Sequence, residues 1–305
     1  MRKDGETLWN YLLIPEDYST NHFNSLRLAM SLLVIWSHAF ALYFGSEDTE
    51  PVSVILNGQY NAGNIAVRVF FIISGFLITI SFLRSRSFFS YMRKRVARIY
   101  PGFVVAVTVC AFAVVPMFST HVEMTLATVS RTIWKILLLR GVMPPSDVFA
   151  GNHLQAVNGA LWSIPYEFWC YLAVAALGAF GLIYQRLFLL TSMLAIMTGK
   201  VILDLNGIKP SIPILDNITG FTYLWFSVAP CFIAGILAYL YRDKLPRSRV
   251  LAAILVLLFI GSAHTSTLLC DVLFPFVAAY LTFFIAFRVQ TQSTTSMRLM
   301  SVSGR

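Results

Sequence analysis

The sequence predicts an all-α fold, a polytopic integral membrane helical bundle of about eight transmembrane helices. Composition is the first reason: of 305 residues 57% are hydrophobic and 12% charged, with a mean hydropathy of +0.71. A soluble domain of this length carries about twice that charge. Apolar runs are the second: segments near 28–44, 65–83, 99–118, 162–185, 187–203, 221–241, 250–263 and 267–287 mostly approach the roughly 20 residues a spanning helix needs. Charge placement is the third. Arg84, Arg86, Arg93, Lys94, Arg95 and Arg98, then Arg242, Lys244, Arg247 and Arg249, then Arg288, Arg298 and Arg305 fall on one side of an eight-span alternation. Glu47, Asp48, Glu50, Glu123, Asp147, Asp204 and Asp216 fall on the other, with fewer bases. Cytoplasmic loops collect Lys and Arg, so both termini are expected in the cytoplasm. The net charge of +9 is thereby a topology signal and not a nucleic-acid footprint.

The first run carries the most informative pair. Arg27 and His38 stand 11 residues apart, three helical turns, so they share one face about 16 Å apart along the axis. Ser31 extends that polar stripe. Ionisable groups inside a span are costly and mark sites or paths, although Arg27 alone also fits a snorkelling anchor. The run starts too late and is too long for a cleavable signal, and no small-residue cleavage site follows it. In the second run, Ser74-Gly75 is a small-residue notch that lets another helix approach closely. At the mouth of the third, Arg95 and Arg98 lie three residues apart. Their guanidinium forks suit phosphate, and the same pair also fits positive-inside charge or contact with anionic lipid.

The fourth run opens on Leu161-Trp162-Ser163-Ile164-Pro165-Tyr166-Glu167. Ser163, Glu167 and Tyr171 are spaced i, i+4, i+8 on one helix face, with Pro165 in the first turn. Trp162, Tyr166 and Trp169 also fit an interfacial aromatic belt. Glu167 is the acidic residue well inside that run and has no such alternative. The seventh and eighth runs are separated by Ala263-His264-Thr265-Ser266-Thr267, which predicts a tight helical hairpin. Cys110, Cys170, Cys231 and Cys270 lie in apolar runs without CxxC or Cys/His spacing, which suggests packing residues rather than disulfides or a metal site. No repeat or second domain is visible, so residues 1–305 read as one membrane domain, with long loops near 45–64 and 119–161.

Taken together these residues resemble the acyltransferase family 3 membrane proteins, which include bacterial O-antigen and exopolysaccharide acetylases. The resemblance covers about residues 20–290. It rests on the Arg-x10-His of Arg27 and His38, on Phe-Phe-x-x-Ser-Gly-Phe-Leu-Ile at 70–78, on Arg95-x-x-Arg98 followed by Ile99-Tyr100-Pro101, and on Leu161-Trp162-Ser163 with Glu167 and Tyr171. Members of the family usually have about ten spans. This chain ends in the polar stretch Met297–Arg305 and is expected to be short at its C-terminus.

The resemblance implies transfer of an acyl group, most often acetyl, from acyl-CoA to a sugar hydroxyl of a surface polysaccharide or lipid-linked oligosaccharide at the bacterial inner membrane. It implies no metal. His38 would serve as general base or transient acyl carrier, with Glu167 orienting it if the first and fourth long helices pack together. Arg27 would steady the site or guide the thioester. Arg95 and Arg98 would hold coenzyme A phosphates, and Ser31, Trp162, Ser163 and Tyr171 would line the substrate path. Two other readings stay open: an exporter of acylated or carboxylated small molecules, and an inactive truncated member of the family.

Overall fold

In the computed structural model, residues 22–119 and 125–302 are described, with side chains to 287. The expected cytoplasmic N-terminus, Glu123 and the charges of Arg288, Arg298 and Arg305 lie outside the described residues and side chains. Every regular element among the described residues is helical.

Local chemistry sets the helix ends. Helix α1, Phe23–Phe44, stops where Gly45 turns left-handed (φ 76°) and returns its N–H to Ala41 O, the ending that glycine permits without strain. The short α2, Pro51–Ile55, begins on Glu50, whose carboxylate accepts from Ser53 N at 2.7 Å. Helix α3, Ala62–Leu83, begins on Asn61, which accepts from Asn64 N at 2.6 Å. Each cap satisfies a donor that the first helical turn leaves free.

The third long helix, α4, runs from Phe88 to Phe118, starting 11 residues before the apolar run at 99. Ser87 caps it through Ser90 N, and Arg93 to Arg98 lie inside the helix rather than in a loop. Arg and Lys are good helix formers, and a hydropathy criterion detects only the part suited to hydrocarbon. Near its far end Cys110–Val114 forms a wider π turn just before Pro116, a position where the missing proline N–H breaks the regular ladder.

The expected 119–161 loop contains a helix that the sequence reading did not foresee, α5, Leu126–Leu137. A short 3-10 turn, Gly159–Ser163, leads into α6, Ile164–Ala179, with Pro165 in its first turn. Then follow α7, Arg186–Leu205, the short α8, Pro213–Thr219, and α9, Thr222–Leu240. The chain closes with α10, Arg249–Ala263, and α11, Thr267–Val302. These last two pack together as the expected hairpin, joined by His264–Ser266. Among the described residues seven helices are long and apolar enough to cross a membrane, and α10 is a shorter apolar helix beside them.

Helices α3 and α9 form the centre, their mutual contact the most extensive of the bundle. They meet backbone to backbone: a Cβ at Gly75 would fall 2.0 Å from Phe232 O, and one at Gly235 would fall 2.1 Å from Ile72 O. This is the contact that the Ser74-Gly75 notch predicts. Helix α1 lies along α3, α7 along α9, and α6 bridges α3 and α4. All four cysteines are buried free thiols.

Candidate functional site

A cavity of about 410 Å³ opens between α1, α3, α4 and the start of α6. Arg27 enters it from α1, Ser74 from α3, Arg98 from α4, and Ser163 and Glu167 from the fourth predicted run. Phe70, Phe71 and Phe103 supply apolar wall. Four segments distant in sequence thus contribute polar groups to one space, and three of them carry groups singled out by spacing alone.

Glu167 is held from two sides. Its Oε1 accepts from the hydroxyl of Tyr171 and from Ser74 Oγ at 3.4 Å. Tyr171 is fully buried, and its backbone oxygen accepts from Tyr91 Oη at 2.9 Å. The i, i+4, i+8 face of Ser163, Glu167 and Tyr171 is therefore a working unit, with two members facing the cavity and the third bracing Glu167 from behind. Ser163 makes no capping bond of its own.

The two arginines of α4 divide their tasks. Arg98 lines the cavity. Arg95 instead donates to Ser81 Oγ at 3.0 Å and lies over the rings of Tyr171 and Tyr91, 5.5 and 5.8 Å from their centroids. Arg27 lies within electrostatic range of Arg98, Glu167, Tyr171 and Arg95. The cavity lining thus holds two guanidiniums, Arg27 and Arg98, against one carboxylate, Glu167.

His38 stands apart from this group. A Cβ on Gly63 would meet Ser37 at 3.1 Å, which fixes the antiparallel register and puts His38 level with the N-terminus of α3. Val67, the outermost α3 residue in the cavity lining, is four residues from Gly63, about 6 Å along the axis. The carboxylate beside His38 is Glu47, its Oε1 4.0 Å from Nδ1, in place of the expected Glu167. The sequence reading missed this partner because Glu47 lies beyond the helix end, where Gly45 turns the chain back. Burial holds the Glu47 carboxyl above the usual range, opposed by His38 and reinforced by Glu50 and Asp48.

Ser31 and Trp162 also fall outside the cavity lining. Ser31 Oγ donates to Arg27 O at 2.9 Å, closing on its own helix rather than extending the polar stripe to a ligand. Trp162 is 37% exposed and sits edge-on to Tyr166, ring centroids 5.6 Å apart.

A second polar cluster was not foreseen. Arg68 of α3 pairs with Asp271 of α11 at 3.2 Å, and Tyr60 bridges them, accepting from Arg68 and donating to Asp271. Lys200 of α7 binds Asp271 at 2.5 Å and Asp204 at 2.6 Å. Two bases meet two acids here, so the cluster is neutral and fastens three helices together. Arg68 and Asp271 each lie inside an apolar run, and that alone was the available signal.

Residues 21–302 match the sequence profile of a family described as an acyltransferase domain. The chain is 35% identical over 158 residues to the O-acetyl transferase of Shigella phage Sf6, covering 51% of this chain and 45% of that protein. It is 27% identical over 239 residues to Nodulation protein 10 of Rhizobium leguminosarum bv. viciae, covering 74% of this chain and 61% of that protein. The matched parts thus span about half to three fifths of these relatives. No solved structure matches the chain.

Proposed function

The chain belongs to this acyltransferase family, and from that membership we propose that it is an O-acyltransferase of the bacterial inner membrane, with both termini cytoplasmic. It moves an acyl group, acetyl in the first instance, from acyl-CoA to a hydroxyl of a surface polysaccharide or lipid-linked sugar. The observation that carries this reading is the imbalance in the cavity. Two guanidiniums beside a single carboxylate in a membrane-embedded space call for an anionic ligand, and the phosphates of coenzyme A supply one. The arginines lie toward the ends of α1 and α4 near Arg84, Arg86, Arg93 and Lys94, the side that positive-inside placement makes cytoplasmic.

Distance supports the same arrangement. His38 is about 16 Å from Arg27 along α1. The pantetheine arm has about 12 bonds between phosphate and sulfur, which extend to about 14 Å at roughly 3.5 Å per three bonds. A donor whose phosphates rest on Arg27 and Arg98 presents its thioester near His38. There the acceptor hydroxyl gives its proton to the imidazole as its oxygen attacks the thioester carbon. The C–S bond then breaks, and the departing thiolate takes that proton back. Glu167, held by Tyr171 and Ser74, balances the arginines and keeps their side chains aimed into the cavity. Arg95 braces Tyr171.

Membranes carrying the chain, given labelled acetyl-CoA and host polysaccharide, test the proposal. Label should pass to glycan with wild type and fall 10²- to 10⁴-fold with His38→Ala, the span general-base catalysis contributes. Undiminished transfer in an inserted His38→Ala protein removes the imidazole from the mechanism.

A further inference from the structure

We propose that Glu47 is the positioning residue of His38: its carboxylate favours the tautomer that carries its proton on Nδ1, and so leaves Nε2 unprotonated to receive the proton of the acceptor hydroxyl. The inference rests on the reading of His38 as the base.

The geometry of one corner carries it. Glu47 follows Gly45, whose left-handed φ of 76° folds the chain back on the end of α1. That fold is crowded from outside, since a Cβ on Gly45 would lie 3.0 Å from the ring of His153. One carboxylate oxygen of Glu47 faces His38 Nδ1 at 4.0 Å. The other accepts from the side-chain amide of Asn61. Asn61 is itself fixed, because its Oδ1 caps α3 through Asn64 N at 2.6 Å. Hydrogen bonds thus join the terminus of helix α3 to Asn61 and Asn61 to Glu47, and Glu47 stands at ion-pair distance from the imidazole of His38. The Ser37–Gly63 contact, one residue from His38, holds the two helices at that register.

A carboxylate tied down on its far side and turned toward Nδ1 is the arrangement that sets a histidine's tautomer and ring orientation. The charged or titratable neighbours of the corner are Glu47 itself, Asp48 and Glu50 behind it, and His153 against Gly45. The residue that α3 presents there, Asn61, is uncharged. Glu50 Oε2 accepts from Ser53 N and Ala62 N, and its Oε1 is buried without a hydrogen-bond partner. Glu47 is the carboxylate with an oxygen 4.0 Å from the imidazole.

The test compares wild type, Glu47→Gln, Glu47→Asp, Asn61→Ser and His38→Ala as full chains in membranes. Acyl transfer is followed at varied acetyl-CoA, and the His38 tautomer is read by ¹⁵N NMR, its resonance identified by its loss in His38→Ala. Glu47→Gln should lower kcat about tenfold or more with donor KM unchanged, and should shift His38 away from the Nδ1–H form. Glu47→Asp should recover part of both. Asn61→Ser, which keeps a helix cap but loses the bond to Glu47, should fall between. Wild-type kcat and tautomer in Glu47→Gln overturn this inference while the base reading stands. Full transfer by His38→Ala overturns the base reading, and the tautomer measurement then still decides whether Glu47 sets the ring.

Discussion

Replacing Gly75 by alanine places one methyl carbon against the closest backbone contact in the bundle. The new Cβ would lie 2.0 Å from Phe232 O, where carbon and oxygen need about 3.3 Å. Helices α3 and α9 must part by about 1.3 Å, and since the obstruction is a carbonyl on a helix, no side chain can rotate away. Overpacking of this kind costs about 1–3 kcal/mol and at times more, and alanine's better helix propensity returns about 0.5–1 kcal/mol. The obstruction is backbone, so the cost lies at the upper end of that range, and the net loss is about 2 kcal/mol, or about 3 °C in midpoint for a chain of this size. The four buried free cysteines provide the assay, since a thiol-reactive dye labels them as detergent-solubilised protein unfolds on heating. Gly261→Ala is the control: nothing lies within 4 Å of its Cβ, so it should match or exceed wild type. The same parting moves Ser74 relative to Glu167, so Gly75→Ala should also lose transfer activity. A Gly75→Ala protein that unfolds with wild type would refute the backbone contact as a determinant of the fold.

Arg27→Gln and Arg98→Gln should each raise the acetyl-CoA concentration needed for half-maximal transfer about tenfold or more, the loss of a charge-assisted phosphate contact. An unchanged donor dependence returns both residues to topology. Asp271→Asn removes the acid shared by Arg68 and Lys200 and should destabilise by about 3–5 kcal/mol, because it leaves buried charge unpaired. Thermal unfolding measures that loss, which Lys200→Met should reproduce only in part. Hydrogen bonds from Ser211 and Thr222 hold the Asp216 carboxyl below its usual range. Its folded value lies under its unfolded value, so its contribution to stability is present above the ordinary carboxylate range and is lost as pH falls through the lowered value. Asp216→Asn should accordingly flatten the acid side of a stability-against-pH curve.

Legibility in the sequence followed the range of the forces involved. Spans were readable because hydrophobicity is a property of a contiguous segment. The Gly75 contact was readable because a glycine beside a serine in a bulky helix serves close approach. Arg27, Glu167 and Arg98 were each conspicuous as ionisable groups in or beside apolar runs, and the fold does bring them to one cavity. Helical period alone could not separate Arg95 from Arg98. Their directions differ because Ser81 and the rings of Tyr91 and Tyr171 claim Arg95. Nor could it pair His38, whose neighbour Glu47 depends on a left-handed turn, or join Arg68 to Asp271 across 203 positions. Helix α5 escaped because its 12 residues are too few for a hydropathy window set to membrane thickness.

The backbone seam between α3 and α9 has a consequence for how such a protein diversifies. With Gly75 and Gly235 locked against opposing carbonyls, the cavity face carrying Ser74 is an inflexible plate that tolerates little substitution. The facing wall, built from Leu161, Ser163 and Ile164 at the end of a long connecting segment, carries no such constraint. New acceptor preferences should therefore arise by change at Leu161, Ser163 and Ile164, with Leu139, Val148 and His153 of the same segment kept because they pack against the scaffold.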